Sequence, residues 1–481
     1  MGRIGMGELS EKLKSYTESG YYPYHMPGHK RRLGGEVLSA VSQWDITEID
    51  GFDNLHEPSG IIKRIQQKAA RIYGAEESFY LVNGSTAGIL SAISAAVPEG
   101  GKILMARGCH RAAYHGAYLR GLDVRYLVAE TEPDFDCNLE ITPTQVEQAL
   151  IQDSDIQAVF LVSPTYEGIV SDIEKIAGIV HKRGIPLIVD EAHGAHLGFH
   201  PAWPKSSCSC GADIVIQSLH KTLPSPTQTA ILHANGRLVD RHLLKRFLSI
   251  YQSSSPSYLF MAAIEEALDL VSEEADRLFW AFLQNWNQMT EKLGKCRCLH
   301  FLRAESMDIG KLVIADKSGH MTGRQLYERL RNTYHLQPEM AAGNYVLAMF
   351  TVGDTEEGYR RMTEALLEID EDIFTRYGAK TGSTAHSELT GHRALKQPKL
   401  PPQELSLKDA WGQDGEEIPI AEAKGRIAVE FINLYPPGIP ILVPGERLTE
   451  ELCEYIQDCA EKGLHVQGLG EEKTVKVFAD K

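Results

Sequence analysis

A lysine directly after an apolar run is the residue of this chain best placed for covalent chemistry. In DIVIQSLHKTLPSPTQ (213–228) the run delivers Ser218, His220 and Lys221 to a loop rich in Ser and Pro. A lysine at the carboxyl edge of a sheet is positioned to form a Schiff base; a plain surface lysine is the alternative. Asp190 ends a second apolar run in PLIVDEAHGAH (186–196). An ionised carboxylate is costly to bury there without a partner. A pyridinium N–H would be one such partner, and the pair would keep the ring nitrogen protonated; a capping or loop aspartate is the alternative. A third run, FYLV (79–82), leads into Asn83-Gly84-Ser85-Thr86-Ala87-Gly88. Small and hydroxyl residues at a helix start make a phosphate cradle from free N–H groups, the helix dipole and side-chain hydroxyls, although Ser and Thr are also ordinary caps. His110, after the run KILM (102–105), offers an imidazole that would stack on a planar ring or simply start a helix.

The elements that must position these groups alternate along the chain. Short apolar strands are expected at 79–82, 102–105, 124–128, 158–162, 186–190 and 213–218, with helical stretches between most of them. Continuous apolar strands separated by helices indicate a mostly parallel sheet buried on both faces, and such sheets bind ligands at the carboxyl ends of their strands. Before them, residues 1–57, rich in His, Pro, Gly and Asp, read as an irregular N-terminal arm. Ile61, Ile65, Ala69 and Ile72 share one face of a helix that Gly74 stops. The expected large domain, 58–300, closes with a long stripe from Ile264 through Leu268, Val271, Ala275, Leu278, Phe282, Trp286 and Met289 to Leu293. A small α/β domain follows at 301–377, with strands KLVIA and NYVLAMFTV. Residues 378–402 read as a linker, and a C-terminal domain at 403–481 contains INLYPPGIPILVPGE.

The bulk numbers bound the function classes. A chain of 481 residues exceeds the span of one core, so two or three domains are expected. The net charge of −16, from 65 acidic and 49 basic residues, argues against a dedicated nucleic-acid binder. No apolar run approaches a spanning helix of roughly 18 residues, and the first residues lack an apolar signal core; no membrane association and a cytoplasmic location are expected. Eight scattered cysteines, the tightest pairs spaced C-x-C, suit structural thiols in a reducing compartment better than a zinc site.

Taken in order, HMPGHK, DITEIDGFDNLHEPSG, FYLVNGSTAG, CHRAAYHG, SPTYEG, VDEAHGAHLGFH, SLHKTLPSPTQ and YPPGIPILVPGE resemble the bacterial ornithine/lysine/arginine decarboxylases over nearly the whole chain. The resemblance implies a fold-type I, transferase-like large domain that binds pyridoxal 5′-phosphate (PLP), plus small α/β and C-terminal domains. It implies α-decarboxylation of a basic amino acid to the corresponding amine. Lys221 would then carry the cofactor, Asp190 would pair with the ring nitrogen, His110 would stack on the ring and Ala192 would pack its other face, with His193 beside it. Ser85, Thr86, Ser218 and His220 would bind the phosphate. Ser254 or Ser255, in YQSSSPSYL, would reach the phosphate of a neighbouring subunit, making a homodimer the catalytic unit. His220 or Lys221 would return a proton to Cα. For the distal cationic group of the substrate, Glu430 and acidic residues of the arm such as Asp53 are the candidates, and ordinary structural carboxylates are the alternative. The resemblance is to a short form, without the N-terminal domain that large inducible members carry ahead of HMPGHK; NGSTAG also lacks the family's frequent third hydroxyl.

Other readings have weaker support. Transamination is a fold-type I alternative, but many such enzymes hold the substrate carboxylate with an arginine on a small-domain strand, and NYVLAMFTVGD has none. DEAH (190–193) mimics a helicase box, yet no G-x-x-x-x-G-K-[ST] accompanies it. A non-catalytic scaffold would not need both Lys221 and Asp190.

Overall fold

The computed structural model describes residues 6–22, 26–27, 30, 40–378, 398–435, 439–461, 464–470 and 472–479. The expected linker falls largely outside them, as do parts of HMPGHK and YPPGIP. The chain divides into two compact units that cut across the linear order of the sequence: residues 1–98, 146–163 and 172–279 form the first, and 99–145, 164–171 and 280–481 the second.

In the first unit five strands lie in the order Glu77–Leu81, Ala230–Ala234, Ile214–Gln217, Leu187–Asp190, Ala158–Val162. The last three pair in parallel, with Val162 opposite Asp190 and Asp190 opposite Ile216. Ala230–Ala234 runs antiparallel to both of its neighbours. Four of the five strands therefore point one way, and Leu81, Asp190 and Gln217 end at one edge. Nearly every residue in them is buried, as the unbroken apolar runs require.

Two features depart from the sequence reading. The strand Ala230–Ala234 was not expected, because His233 interrupts its short apolar run. That imidazole is fully buried between the Ser78 hydroxyl (2.7 Å) and Gln217 Oε1 (3.1 Å), and so behaves as core. The arm is also not wholly irregular: Glu8–Glu18 is a helix with Leu9 and Leu13 buried. Its first N–H groups, orphaned in any helix, donate from Glu8 and Leu9 to the carboxylate of Glu265, both at 2.9 Å. A cap supplied from more than 250 positions away leaves no local signal. The expected helix is present at Ile61–Tyr73, stopped by Gly74 in the left-handed conformation.

The second unit holds the parallel pair Lys102–Ala106 and Asp123–Leu127. It also holds a four-stranded antiparallel sheet, Leu299–Phe301, Lys311–Asp316, Tyr345–Met349 and Met340–Ala342, with the helices Gly323–Tyr334 and Glu356–Tyr377. Toward the C-terminus, Leu442, Leu452, Ile456, Cys459 and Val477 build a core of their own. It is fed by the helix Glu450–Glu461 and the strands Ile432–Tyr435 and Ile439–Leu442. The stripe on the 36-residue helix Tyr258–Leu293 turns slightly from the expected face: Phe279 is buried and Leu278 only half-buried. No described helix is long and apolar enough to cross a membrane.

Candidate active site

Three of the chemically suggestive clusters meet at the shared carboxyl edge of the first unit. The strand Ile214–Gln217 runs into Ser218 and the single turn Leu219–Thr222, which carries His220 and Lys221. Ser218 Oγ donates to Ser85 Oγ at 3.0 Å, joining two hydroxyls that lie 133 positions apart. Ser85 is in the first turn of the helix Gly84–Ala96, whose leading N–H groups have no acceptor within the helix. The chain enters that helix through Gly84 at φ +71°, a left-handed conformation that disfavours side chains. Clustered hydroxyls facing free N–H groups at a helix start suit a dianionic phosphate. Thr86 follows in the same turn.

Asp190 ends its strand 97% buried, and Oδ1 accepts the Ala192 N–H at 3.1 Å. Among the described residues Oδ2 receives no hydrogen bond. Burial pushes the carboxyl up to about 6, against the pull of the Lys221 charge and the Ala192 N–H. Such a group is short of a cationic donor, which is what a protonated ring nitrogen provides. Lys221 Nζ donates to His193 Nε2 at 3.1 Å. His220 Nδ1 lies 2.9 Å from the Thr229 carbonyl, and burial lowers its pKa. Ala192 and His193 are both buried beside these groups. The residues present therefore fit PLP.

Other candidates are placed differently. Ser254 and Ser255 are exposed. Their loop is held to the helix start by Ser253 N–H donating to Asn83 Oδ1 (3.0 Å), a role for Asn83 that the sequence reading missed, because an Asn at a helix start signals a cap on that helix and this side chain makes none. Asp53 sits at the start of the helix Ile61–Tyr73, where its carboxylate accepts the N–H groups of Ser59 (2.9 Å), Gly60 (2.7 Å) and Ile62 (3.0 Å). In the second unit His110 starts the helix Arg111–Arg120, its Nδ1 accepting the Ala112 N–H at 3.2 Å. Glu430 accepts from Trp411 Nε1 at 3.2 Å.

This architecture, with a lysine, an aspartate and a hydroxyl-lined helix start at one strand edge, defines a fold-type I PLP-dependent enzyme. The solved lysine decarboxylase of Francisella novicida superposes with a TM-score of 0.83 at 17% identity, over 98% of this chain and 81% of that one. Sequence comparison then gives the particular family. The model described as "Orn/Lys/Arg decarboxylase, major domain" matches residues 8–320, and its "C-terminal domain" companion matches 387–474. The arginine decarboxylase of Bacillus subtilis is 31% identical over 95% of this chain and 94% of its own length. The arginine decarboxylase of Halalkalibacterium halodurans is also 31% identical, over 100% and 99%. The constitutive lysine decarboxylase of Escherichia coli is 20% identical over 96% of this chain and 78% of its own. The chain belongs to the Orn/Lys/Arg decarboxylase family and is an amino acid decarboxylase, a carboxy-lyase acting on basic amino acids.

Proposed function

We propose that the protein decarboxylates arginine, with PLP held covalently by Lys221, in a cytoplasmic homodimer. The carrying observation is the convergence of Lys221, the open carboxylate of Asp190 and the Ser85–Ser218 hydroxyl pair at one sheet edge. When bound, PLP supplies an electron sink for the pair released as the bond from Cα to the carboxylate breaks. Asp190 holds a proton at the ring nitrogen. Ser85, Thr86, Ser218 and the helix N–H groups bind the phosphate. Ala192 packs against one face of the ring.

The hydrogen bonding favours one of the two candidates for returning a proton to Cα. With Nδ1–H donating to the Thr229 carbonyl and burial keeping the ring neutral, His220 has a lone pair at Nε2 and no proton there to give. Lys221, with His193 Nε2 beside its Nζ, is the donor. The exposed Ser254–Ser255 loop, tied to the phosphate-binding helix through Asn83, suits contact with a second copy. Eight free cysteines suit a reducing compartment. Arginine is favoured because arginine decarboxylases supply relatives at 31% identity while the E. coli lysine enzyme stands at 20%; Glu430 is the proposed acidic partner of the guanidinium.

Purified holoenzyme given arginine, lysine and ornithine separately tests this. Arginine should release CO2 and guanidinobutylamine with a kcat/KM at least about a hundredfold above the others. Faster turnover of lysine or ornithine would overturn the substrate assignment, and a keto acid product would overturn decarboxylation.

A further inference from the structure

The motif SPTYEG (163–168) meets the Lys221 cluster at Ser163, whose N–H donates to the Asp190 carbonyl at 3.1 Å, but its glutamate sits elsewhere, in an unusual place. The turn is tight: Gly168 N–H donates to the Thr165 carbonyl at 3.0 Å, and Thr165 N–H to the Ile169 carbonyl at 2.8 Å. Gly168 has φ +100°, and a Cβ there would lie 2.6 Å from Lys311 Cγ; only glycine lets the turn press this closely on the strand Lys311–Asp316. Ile169 bridges to Met307. So anchored, Glu167 is 93% buried, and its Oε1 accepts the Tyr345 hydroxyl at 2.6 Å. Among the described residues, Oε2 receives no hydrogen bond.

Glu167 lines a cavity of about 410 Å³ that lies wholly within the second unit. Most of the remaining wall is apolar, from Phe135, Met340, Leu434, Ile441 and Tyr455. A carboxylate in such a wall with one hydroxyl partner is under-solvated, and the group that best relieves it is a cation. Three basic side chains around the cavity do not fill that role. Arg107 is bound by Glu446 through both terminal nitrogens, at 2.8 and 2.9 Å. Arg324 is paired with Glu328 at 2.7 Å, and Lys399 is exposed.

We propose that this cavity binds a small organic cation, an ammonium or guanidinium on a short hydrocarbon chain, with Glu167 as its counter-ion and the apolar wall around its chain. The site shares no residue with the Lys221 cluster, and the proposal assumes nothing about the reaction. An apolar chain gains on the order of 0.8 kcal/mol per methylene buried, so length and charge should both be read by the site.

The test uses holoenzyme reduced with borohydride, so that no amine can exchange onto the cofactor, titrated calorimetrically with n-pentylamine, n-pentylguanidine, n-pentanol and pentanoate. One of the two cations should bind saturably, one per chain, and the alcohol and the acid at least about tenfold more weakly. Glu167→Gln should weaken cation binding at least about tenfold, and Leu434→Trp, which fills the cavity, should abolish it. Unchanged thermal melting certifies the fold of each variant. Should Glu167→Gln fail to fold, Tyr345→Phe, which removes the competing hydroxyl, carries the test: it should bind the cation at least as tightly as the parent. Equal cation affinity in a folded Glu167→Gln, weaker binding in Tyr345→Phe, pentanoate binding as well as the cations, or no saturable binding would each overturn the proposal.

Discussion

Two buried carboxylates, one in each unit, show opposite solutions to the same electrostatic problem. Glu446 is fully buried, and both oxygens are taken: Arg107 binds them bidentately at 2.8 and 2.9 Å, and the Val443 N–H adds a third bond at 2.8 Å. Arg107 in turn lies 4.9 Å from the centre of the Tyr126 ring. Burial raises the Glu446 carboxyl, and Arg107 pulls it back. Asp190 is almost as deeply buried but has one backbone N–H, no cation bonded to it, and a pKa pushed up to about 6. The saturated carboxylate closes a structure, and the open one leaves room for a further donor. A buried acid is thus a functional candidate when its hydrogen bonding is incomplete.

The comparison breaks most visibly at the lysine that faces the open carboxylate. Lys221→Ala should abolish steady-state turnover, a loss of at least about ten-thousandfold, and leave no cofactor fixed to the protein after borohydride. Retained turnover would sink the assignment. The saturated pair should fail differently. Arg107→Ala strands Glu446 without its cation, and should cost about 3–5 kcal/mol of unfolding free energy in urea. A variant as stable as the parent would mean that Glu446 finds another partner or a proton at little cost.

Asp190→Ala should reverse that pattern, lowering kcat by about a hundredfold while leaving the urea midpoint near that of the parent. A loss below about tenfold would remove the proposed hold on the ring nitrogen. A large drop in stability would instead make Asp190 a structural residue like Glu446.

The open site was far more legible in the sequence than the closed one. Lys221 and Ser85 follow apolar strands and Asp190 ends one, and the alternation of strands and helices puts such positions at one edge of a sheet. What the sequence did not disclose depends on distant partners. Glu446 stands in the quoted segment YPPGIPILVPGE, but nothing local marks it as the partner of Arg107, 339 positions away. The strand through His233 and the helix capped by Glu265 were missed for the same reason, since their polar groups are satisfied by residues remote in the chain. Asp53 shows the same limit at shorter range: nothing local marks it as the acceptor for the N–H groups of Ser59, Gly60 and Ile62.

The smallest effect is also the most direct measure of how incomplete the Asp190 environment is. In the cofactor-free folded chain its pKa is about 6, against 3.8 for an ordinary aspartate. Between pH 4 and 6 the folded chain therefore holds a proton that the unfolded chain has released, so stability falls as pH rises through that window and the penalty is complete above it. A shift of this size corresponds to a contribution on the order of 3 kcal/mol. Glu191, Glu265 and Glu446 are raised as well, so the slope of the parent alone does not isolate Asp190, whereas its difference from Asp190→Asn does. Urea unfolding of the two cofactor-free proteins should give nearly equal stabilities at pH 4, with the variant ahead by on the order of 3 kcal/mol at pH 7.5. Loading with PLP should shrink that gap, because a ring N–H then meets the charged carboxylate and lowers its pKa. Parallel pH profiles for parent and variant would show that Asp190 is already neutralised within the fold, and the contrast with Glu446 would fail.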